Sequence, residues 1–222
     1  MKNLLLISFC FISLTFQAQS SQIDIISDPD NYFQNNEGVY RYDTTKKDVK
    51  GSKFRFKSKN VEGSILDGKG DNYTLKGLNV DNNEDKFTYS ISKDSLFYFD
   101  HVKKAKINGV FFLKKEGKIL EVLSEGRNIS LYLHNEKIIK KEMVDKLSGK
   151  IVKPKQWLTK KSYYIHSIES DELIKTKLKK KSILKLLEKG TKKEITSFLK
   201  KNKLNLKKEV DVIKLLNYYN TL

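Results

Sequence analysis

Three histidines, a lysine-rich ending and one Asp-Gly-Lys-Gly-Asp run are the parts of this 222-residue chain that could carry chemistry. His101, His134 and His166 lie 33 and 32 residues apart. Three imidazoles hold zinc when they converge, but none of these belongs to a paired motif such as H-E-x-x-H. They read as three separate residues near strand ends, so neither a metal nor a cofactor is expected. The run Asp67-Gly68-Lys69-Gly70-Asp71 lacks the Lys-Ser/Thr ending of a phosphate loop. It also lacks the 12-residue frame of a calcium loop, and it reads as a glycine-rich turn. No G-x-S-x-G elbow surrounds a serine, and Ser64 after Gly63 reads as a strand residue. Paired carboxylates for glycoside hydrolysis leave no local mark; Asp28, Asp30, Asp81, Glu84 and Asp85 read as loop residues. No catalytic residue is assigned.

The lysines are more informative. Residues 19–134 hold 19 Lys/Arg and 17 Asp/Glu, whereas residues 135–222 hold 24 and 10, a balance of +14. Attraction to an anionic partner would therefore originate in the C-terminal part. The clusters Lys179–Lys181, Lys192–Lys193, Lys200–Lys203 and Lys207–Lys208 form the candidate surface. Its anion-binding residues are Lys179, Lys180, Lys181, Lys192, Lys193, Lys200, Lys201 and Lys203. Lysine in place of arginine favours diffuse attraction over bidentate recognition. The competing reading is a helix surface that lysine merely solvates. Trp157, Lys160, Lys161, Tyr163 and Tyr164 mix aromatic and basic groups that could stack on a sugar or base. Trp157 is expected instead to fill the core between sheet and helices.

These residues must be positioned by a β region followed by helices. Ten of the eleven glycines fall between Gly38 and Gly149, many at the spacing of short strands and turns. Asn108-Gly109 is the strongest hairpin signal, because a type I′ turn needs two successive positive φ angles. It sets Ile107 opposite Val110, Lys106 opposite Phe111, Ala105 opposite Phe112 and Lys104 opposite Leu113. Strands are expected at about 103–107, 110–114, 118–123 and 128–133, with turns at Glu116-Gly117 and Glu125-Gly126. Further strands are expected around Phe54–Phe56, Phe87–Ile91, Leu96–Phe99, Ile138–Ile139, Ile151–Val152, Trp157–Ile168 and Leu173–Leu178. Val110 to Leu113 are consecutively apolar, which predicts cover on both faces. The C-terminal helices are the expected lid over Phe111 and Leu113.

Ser182 is expected to cap a short helix over 183–189. Thr191-Lys192-Lys193-Glu194 spells a capping box for the next. Val212, Leu215, Leu216 and Tyr219 form the apolar stripe of a last helix from about Lys208. The ending from Lys179 to Leu222 resembles the C-terminus of an uncharacterised family of secreted Bacteroidota proteins. Members of that family carry a signal peptide and a glycine-punctuated β region before a Lys/Leu-rich helical ending. The resemblance implies location and architecture; it carries no activity and no site residues.

Lys2, the apolar run Leu4–Phe16 and the small residues Ala18-Gln19-Ser20 read as a cleaved secretory signal. Cleavage would remove Cys10, the chain's one cysteine, so the mature protein would have no disulfide, thiolate site or cysteine nucleophile. The expected organisation is a signal over 1–20, a linker over 21–37 with a short strand near Ile23–Ile26, a β-meander domain over 38–178 and a helical segment over 179–222. The fold class is α+β: an antiparallel meander, curled or a partly open barrel, with two or three C-terminal helices packed on it. The expected function is a non-catalytic secreted or periplasmic binding module, with another envelope protein as one partner class. The alternative is a binder of anionic polymer, lipopolysaccharide or acidic glycan, through the basic C-terminal face. A hydrolase without a local motif stands third.

Overall fold

The computed structural model describes residues 24–25, 38–42, 48–68, 70, 72–187 and 191–222, and the expected signal segment and most of the linker lie outside them. The fold is α+β, with antiparallel sheets, one short parallel pairing and three C-terminal helices. Its strands are β1 (Asp24–Ile25), β2 (Gly38–Tyr42), β3 (Glu62–Leu66), β4 (Asn72–Lys76), β5 (Leu78–Asp81), β6 (Lys86–Ser90), β7 (Ser95–Phe99) and β8 (Lys104–Ile107). They continue as β9 (Val110–Lys115), β10 (Lys118–Ser124), β11 (Ile129–Lys140), β12 (Met143–Val144), β13 (Ile151–Lys153), β14 (Gln156–Ser167) and β15 (Glu172–Thr176). The helices are α1 (Lys180–Leu187), α2 (Lys192–Lys201) and α3 (Glu209–Tyr219).

One nine-stranded sheet runs β1-β4-β3-β8-β9-β10-β11-β14-β15, and a four-stranded sheet runs β2-β7-β6-β5; the larger sheet does not close into a barrel. The hairpin at Asn108-Gly109 has the register its turn chemistry requires, with Ile107 opposite Val110 and Ala105 opposite Phe112. Asn108 and Gly109 sit at φ 50° and 76°, and Glu116-Gly117 repeats the arrangement at 51° and 72°. Phe54 and Phe56 do not form the expected strand. Only a single bridge joins Phe54 to Asp81, and the amide of Phe56 donates to the side-chain oxygen of Asn79 where a ladder partner would be.

Register assigns the faces. Phe112, Glu121 and Leu133 are opposite one another across β9, β10 and β11, so they share a face; Leu113, Leu120 and His134 share the other. On the first face the four-stranded sheet packs over β3, β4, β8 and β9. Val80, Phe87, Phe97 and Phe99 meet Ile65, Ala105, Ile107 and Phe112 there, with the Phe87 and Phe112 rings edge to face at 6.5 Å. The helices pack beside that sheet on the same face, over Ile129 and Leu131 of β11 and Ile165 of β14. The expectation that they cover Phe111 is therefore corrected. Phe111 points from the other face, is 55% exposed and has the Lys106 ammonium over its ring, at 4.9 Å. The apolar run predicted cover on both faces; a second sheet covers Phe112, and Phe111 stays open.

The helices are 8, 10 and 11 residues long, shorter than the ~12–15 residues an isolated helix needs. Their order comes from burial. Ile183 and Leu187, Ile195 and Leu199, and Val212, Leu215 and Leu216 all reach one apolar cluster with the sheet. Each fully buried Leu or Ile there contributes about 1.5–3 kcal/mol. Trp157 is not in that cluster. It is the second residue of β14, opposite Ile139, and its amide donates to the Lys50 carbonyl at 2.9 Å.

Candidate functional site

The helical ending converts separated lysines into a groove. α2 presents Ile195 and Leu199 to the core, which leaves Thr196 and Lys200 at its edge. It ends with Lys203 in the left-handed region at φ 50°. The Leu204 amide then donates to the Leu199 carbonyl at 3.1 Å, and the Lys203 amide to the Lys200 carbonyl at 3.2 Å. These two bonds define a Schellman ending, with lysine where glycine is usual. They turn the chain back so that Leu204 and Leu206 lie beside Leu199. The loop is fixed by Asn205, whose amide donates to Asp211 Oδ2 at 2.9 Å and whose side-chain oxygen accepts from the Lys207 amide at 3.1 Å.

The result is a groove of about 520 Å³. Leu199, Leu204 and Leu206 give it an apolar floor, Thr196 and Asn205 supply polar groups, and Lys179, Lys180, Lys200 and Lys207 rim it. The four lysines are exposed, and among the described residues no carboxylate lines the groove. Lys179 and Lys180 stand at the start of α1, which has no acidic residue in its first turn. A helix start carries partial positive charge and unpaired amides, so these lysines raise a potential that is already positive. An anion there relieves mutual repulsion.

The remaining sequence-assigned lysines are placed elsewhere. Lys193 and Lys201 line a separate depression of about 720 Å³ with Glu194, Phe198 and Tyr218, whose two rings stack at 4.0 Å. Lys181 and Lys192 are exposed and line neither hollow, and Lys203 serves the helix ending. Sequence reasoning missed Thr196 and Asn205. The Asn205-to-Asp211 spacing was the available signal, since a side chain that short bonds its own neighbourhood.

Two expected helix caps differ in the structure. α1 starts at Lys180, which puts Ser182 inside its first turn. Thr191 makes no capping bond to α2; its hydroxyl donates to the Leu187 carbonyl at 3.4 Å.

The histidines are held apart by different partners. His134 Nε2 is 2.8 Å from Asp85 Oδ1, which also accepts the Ile119 amide. His166 Nε2 is 2.8 Å from Asp171 Oδ1, on which Lys115 also donates. Among the described residues no group of three His, Cys, Asp or Glu could hold a metal. The aromatic and basic run after Trp157 is also dispersed. Lys160 pairs with Glu136, the Tyr163 hydroxyl donates to Glu209, and Tyr164 joins Leu120 and Tyr132 on the opposite sheet face.

One buried polar cluster has the residue types of a catalytic centre. The Tyr98 hydroxyl donates to Asp81 Oδ2 at 3.0 Å and accepts from Lys53 Nζ at 2.9 Å, while Lys53 and Asp81 pair at 2.8 Å. Burial pushes the Tyr98 phenol up to about 12. Burial alone would lower Lys53, but its bonds to Asp81 and Tyr98 outweigh that and raise it. Phenol and ammonium therefore keep their protons at neutral pH. The second Asp81 oxygen accepts the amides of Asn83 and Glu84. This arrangement pins the β5–β6 turn to β7 and to the segment around Lys53, with both Asp81 oxygens engaged.

No protein-family model, no curated protein and no solved structure matches this chain. Among the described residues no helix is long and apolar enough to cross a membrane.

Proposed function

We propose that this chain is a secreted or periplasmic, non-catalytic binding protein that holds an anionic polymer of the lipopolysaccharide or acidic-glycan class in the lysine-rimmed groove. The carrying observation is the convergence of Lys179, Lys180, Lys200 and Lys207 on one groove that, among the described residues, no carboxylate lines. Lysines merely solvating helices have no reason to converge. The apolar floor suits the ring faces of a sugar, and Thr196 and Asn205 suit its hydroxyls. Among the described residues the groove lining contains no imidazole or carboxylate to move a proton, which favours holding a ligand over transforming it. The amino-terminal leader pattern and the resemblance to secreted Bacteroidota proteins support the extracytoplasmic part of the reading.

Titration with heparin as a model acidic glycan tests it. Binding is expected to weaken at least about tenfold between about 0.1 and 0.5 M salt, as charge-driven attraction is screened. Replacing Lys179, Lys180, Lys200 and Lys207 by Ala is expected to abolish it. The same charge removed outside the groove, at Lys181, Lys192, Lys193 and Lys201, is expected to leave most of it. Binding unchanged by salt, or equal loss in both quadruple variants, overturns the groove assignment.

A further inference from the structure

The hairpin of β12 and β13 stands apart from both large sheets. Among the described residues its two strands pair with each other alone, Met143 opposite Lys153 and Val144 opposite Ile151. It nevertheless exposes five large apolar side chains: Met143 48%, Val144 44%, Leu147 99%, Ile151 61% and Val152 55%. A folded chain rarely leaves such a cluster to water unless the cluster meets something.

The tip is built. Asp145 Oδ1 accepts the amides of Leu147 and Ser148 and the Ser148 hydroxyl, at 3.1, 2.7 and 2.8 Å. The Gly149 amide donates to the Asp145 carbonyl at 2.9 Å, with Gly149 at φ 69°. The turn is thus ordered by its own polar bonds, and they hold Leu147 outward without burying it. Between residues 140 and 155 there are six lysines and two acidic residues, with Lys146 and Lys150 flanking the tip.

We infer that this hairpin is a membrane-surface anchor: Leu147 and its apolar neighbours enter the interface of an anionic lipid layer while the lysines contact its headgroups. Two observations favour lipid over a protein partner. The lysine density matches an anionic surface, whereas lysine is depleted in protein–protein interfaces. The most exposed apolar residue sits at the apex, where a flat layer is met first, and lysine stems reach back to headgroup level from there.

Vesicle flotation of the full chain tests this. The protein is expected to float with mixed phosphatidylglycerol–phosphatidylcholine vesicles and not with phosphatidylcholine alone. Leu147→Asp, at a position with no packing to lose, is expected to weaken flotation at least about tenfold. The quadruple groove variant is expected to float normally, which separates this surface from the lysine groove. In a Cys10→Ser, Leu147→Cys chain, an environment-sensitive dye on the new thiol is expected to shift blue on vesicle binding. Absence of flotation, flotation unaffected by Leu147→Asp, or a dye that stays in water while the protein floats overturns the proposal. So does a blue shift that appears with rising protein concentration alone, because a second copy would then be the occupant.

Discussion

The side chain of Asn220, at the end of α3, brackets the backbone of Ile129 at the start of β11. Its oxygen accepts the Ile129 amide at 3.0 Å and its nitrogen donates to the Ile129 carbonyl at 2.9 Å. The same oxygen accepts the Asn128 amide at 3.0 Å, and one turn earlier Ser124 donates to Asn217. The last helix is thus bolted to the β10–β11 turn by side-chain amides as well as by its apolar stripe. Gly126 passes so close to Asn220 that a β-carbon there would overlap the carboxamide.

Asn220→Ala removes three bonds and leaves backbone groups unpaired under the helix, and is expected to cost about 2–3 kcal/mol in urea unfolding. Gly126→Ala displaces the same carboxamide. The double variant is therefore expected to lose clearly less than the sum of the single losses. Additive losses would mean that the two residues act independently.

The Tyr98–Asp81–Lys53 cluster predicts alkaline sensitivity with a defined sign. The folded phenol titrates at about 12 against an ordinary 10.0, so its contribution is complete below pH 10 and is lost as pH rises towards 12. That lift corresponds to about 2–3 kcal/mol. Lys53 is raised as well, and Tyr163, raised by burial and its bond to Glu209, reaches about 12, so all three act in the same direction. Urea midpoints are expected to fall steeply between pH 10 and 12, and Tyr98→Phe is expected to flatten that fall. An unchanged slope in Tyr98→Phe would assign the effect to Lys53, to Tyr163 or to Tyr132, which burial also raises.

Lys203 holds a backbone angle that favours glycine, at φ 50°. Lys203→Gly relieves a left-handed residue and is expected to raise stability by about 1 kcal/mol. Because Lys203 does not line the lysine groove, heparin affinity is expected to stay unchanged. A large loss of affinity would move Lys203 into the binding surface.

What could be read from the sequence divides by range. The Asn108-Gly109 hairpin, its register and the strands around Trp157–Ile168 and Leu173–Leu178, which pair antiparallel, were legible, because turn chemistry and period-two patterning are local. The lysine clusters were legible as charge. Their convergence was not, because Lys207 joins Lys179, Lys180 and Lys200 at one groove only through the Schellman return after α2 and the Asn205–Asp211 bond. Phe54 and Phe56 misled because their alternation matches a strand while Asn79, remote in sequence, takes the hydrogen bond. The cover over the meander was assigned to the helices because nothing local reveals that β2, β5, β6 and β7 form a second sheet. Ile138–Ile139 and Ile151–Val152 were read as short strands; Ile138 and Ile139 instead extend β11 and pair with β14, while Ile151 pairs with Val144 in a separate hairpin.

Neighbouring phenylalanines on β9 give the sharpest check of that correction. Phe112 is 3% exposed and meets Phe56 and Phe87 edge to face beneath the four-stranded sheet. Phe112→Ala is expected to cost about 3–5 kcal/mol through a cavity the sheets cannot close. Phe111, on the open face, has a single ammonium over it, so Phe111→Ser is expected to cost only about 0.5–1 kcal/mol. Guanidinium unfolding of both variants reads the difference. Had the helices covered β9 from the Phe111 side, the two losses would be similar, and equal losses would reinstate that arrangement.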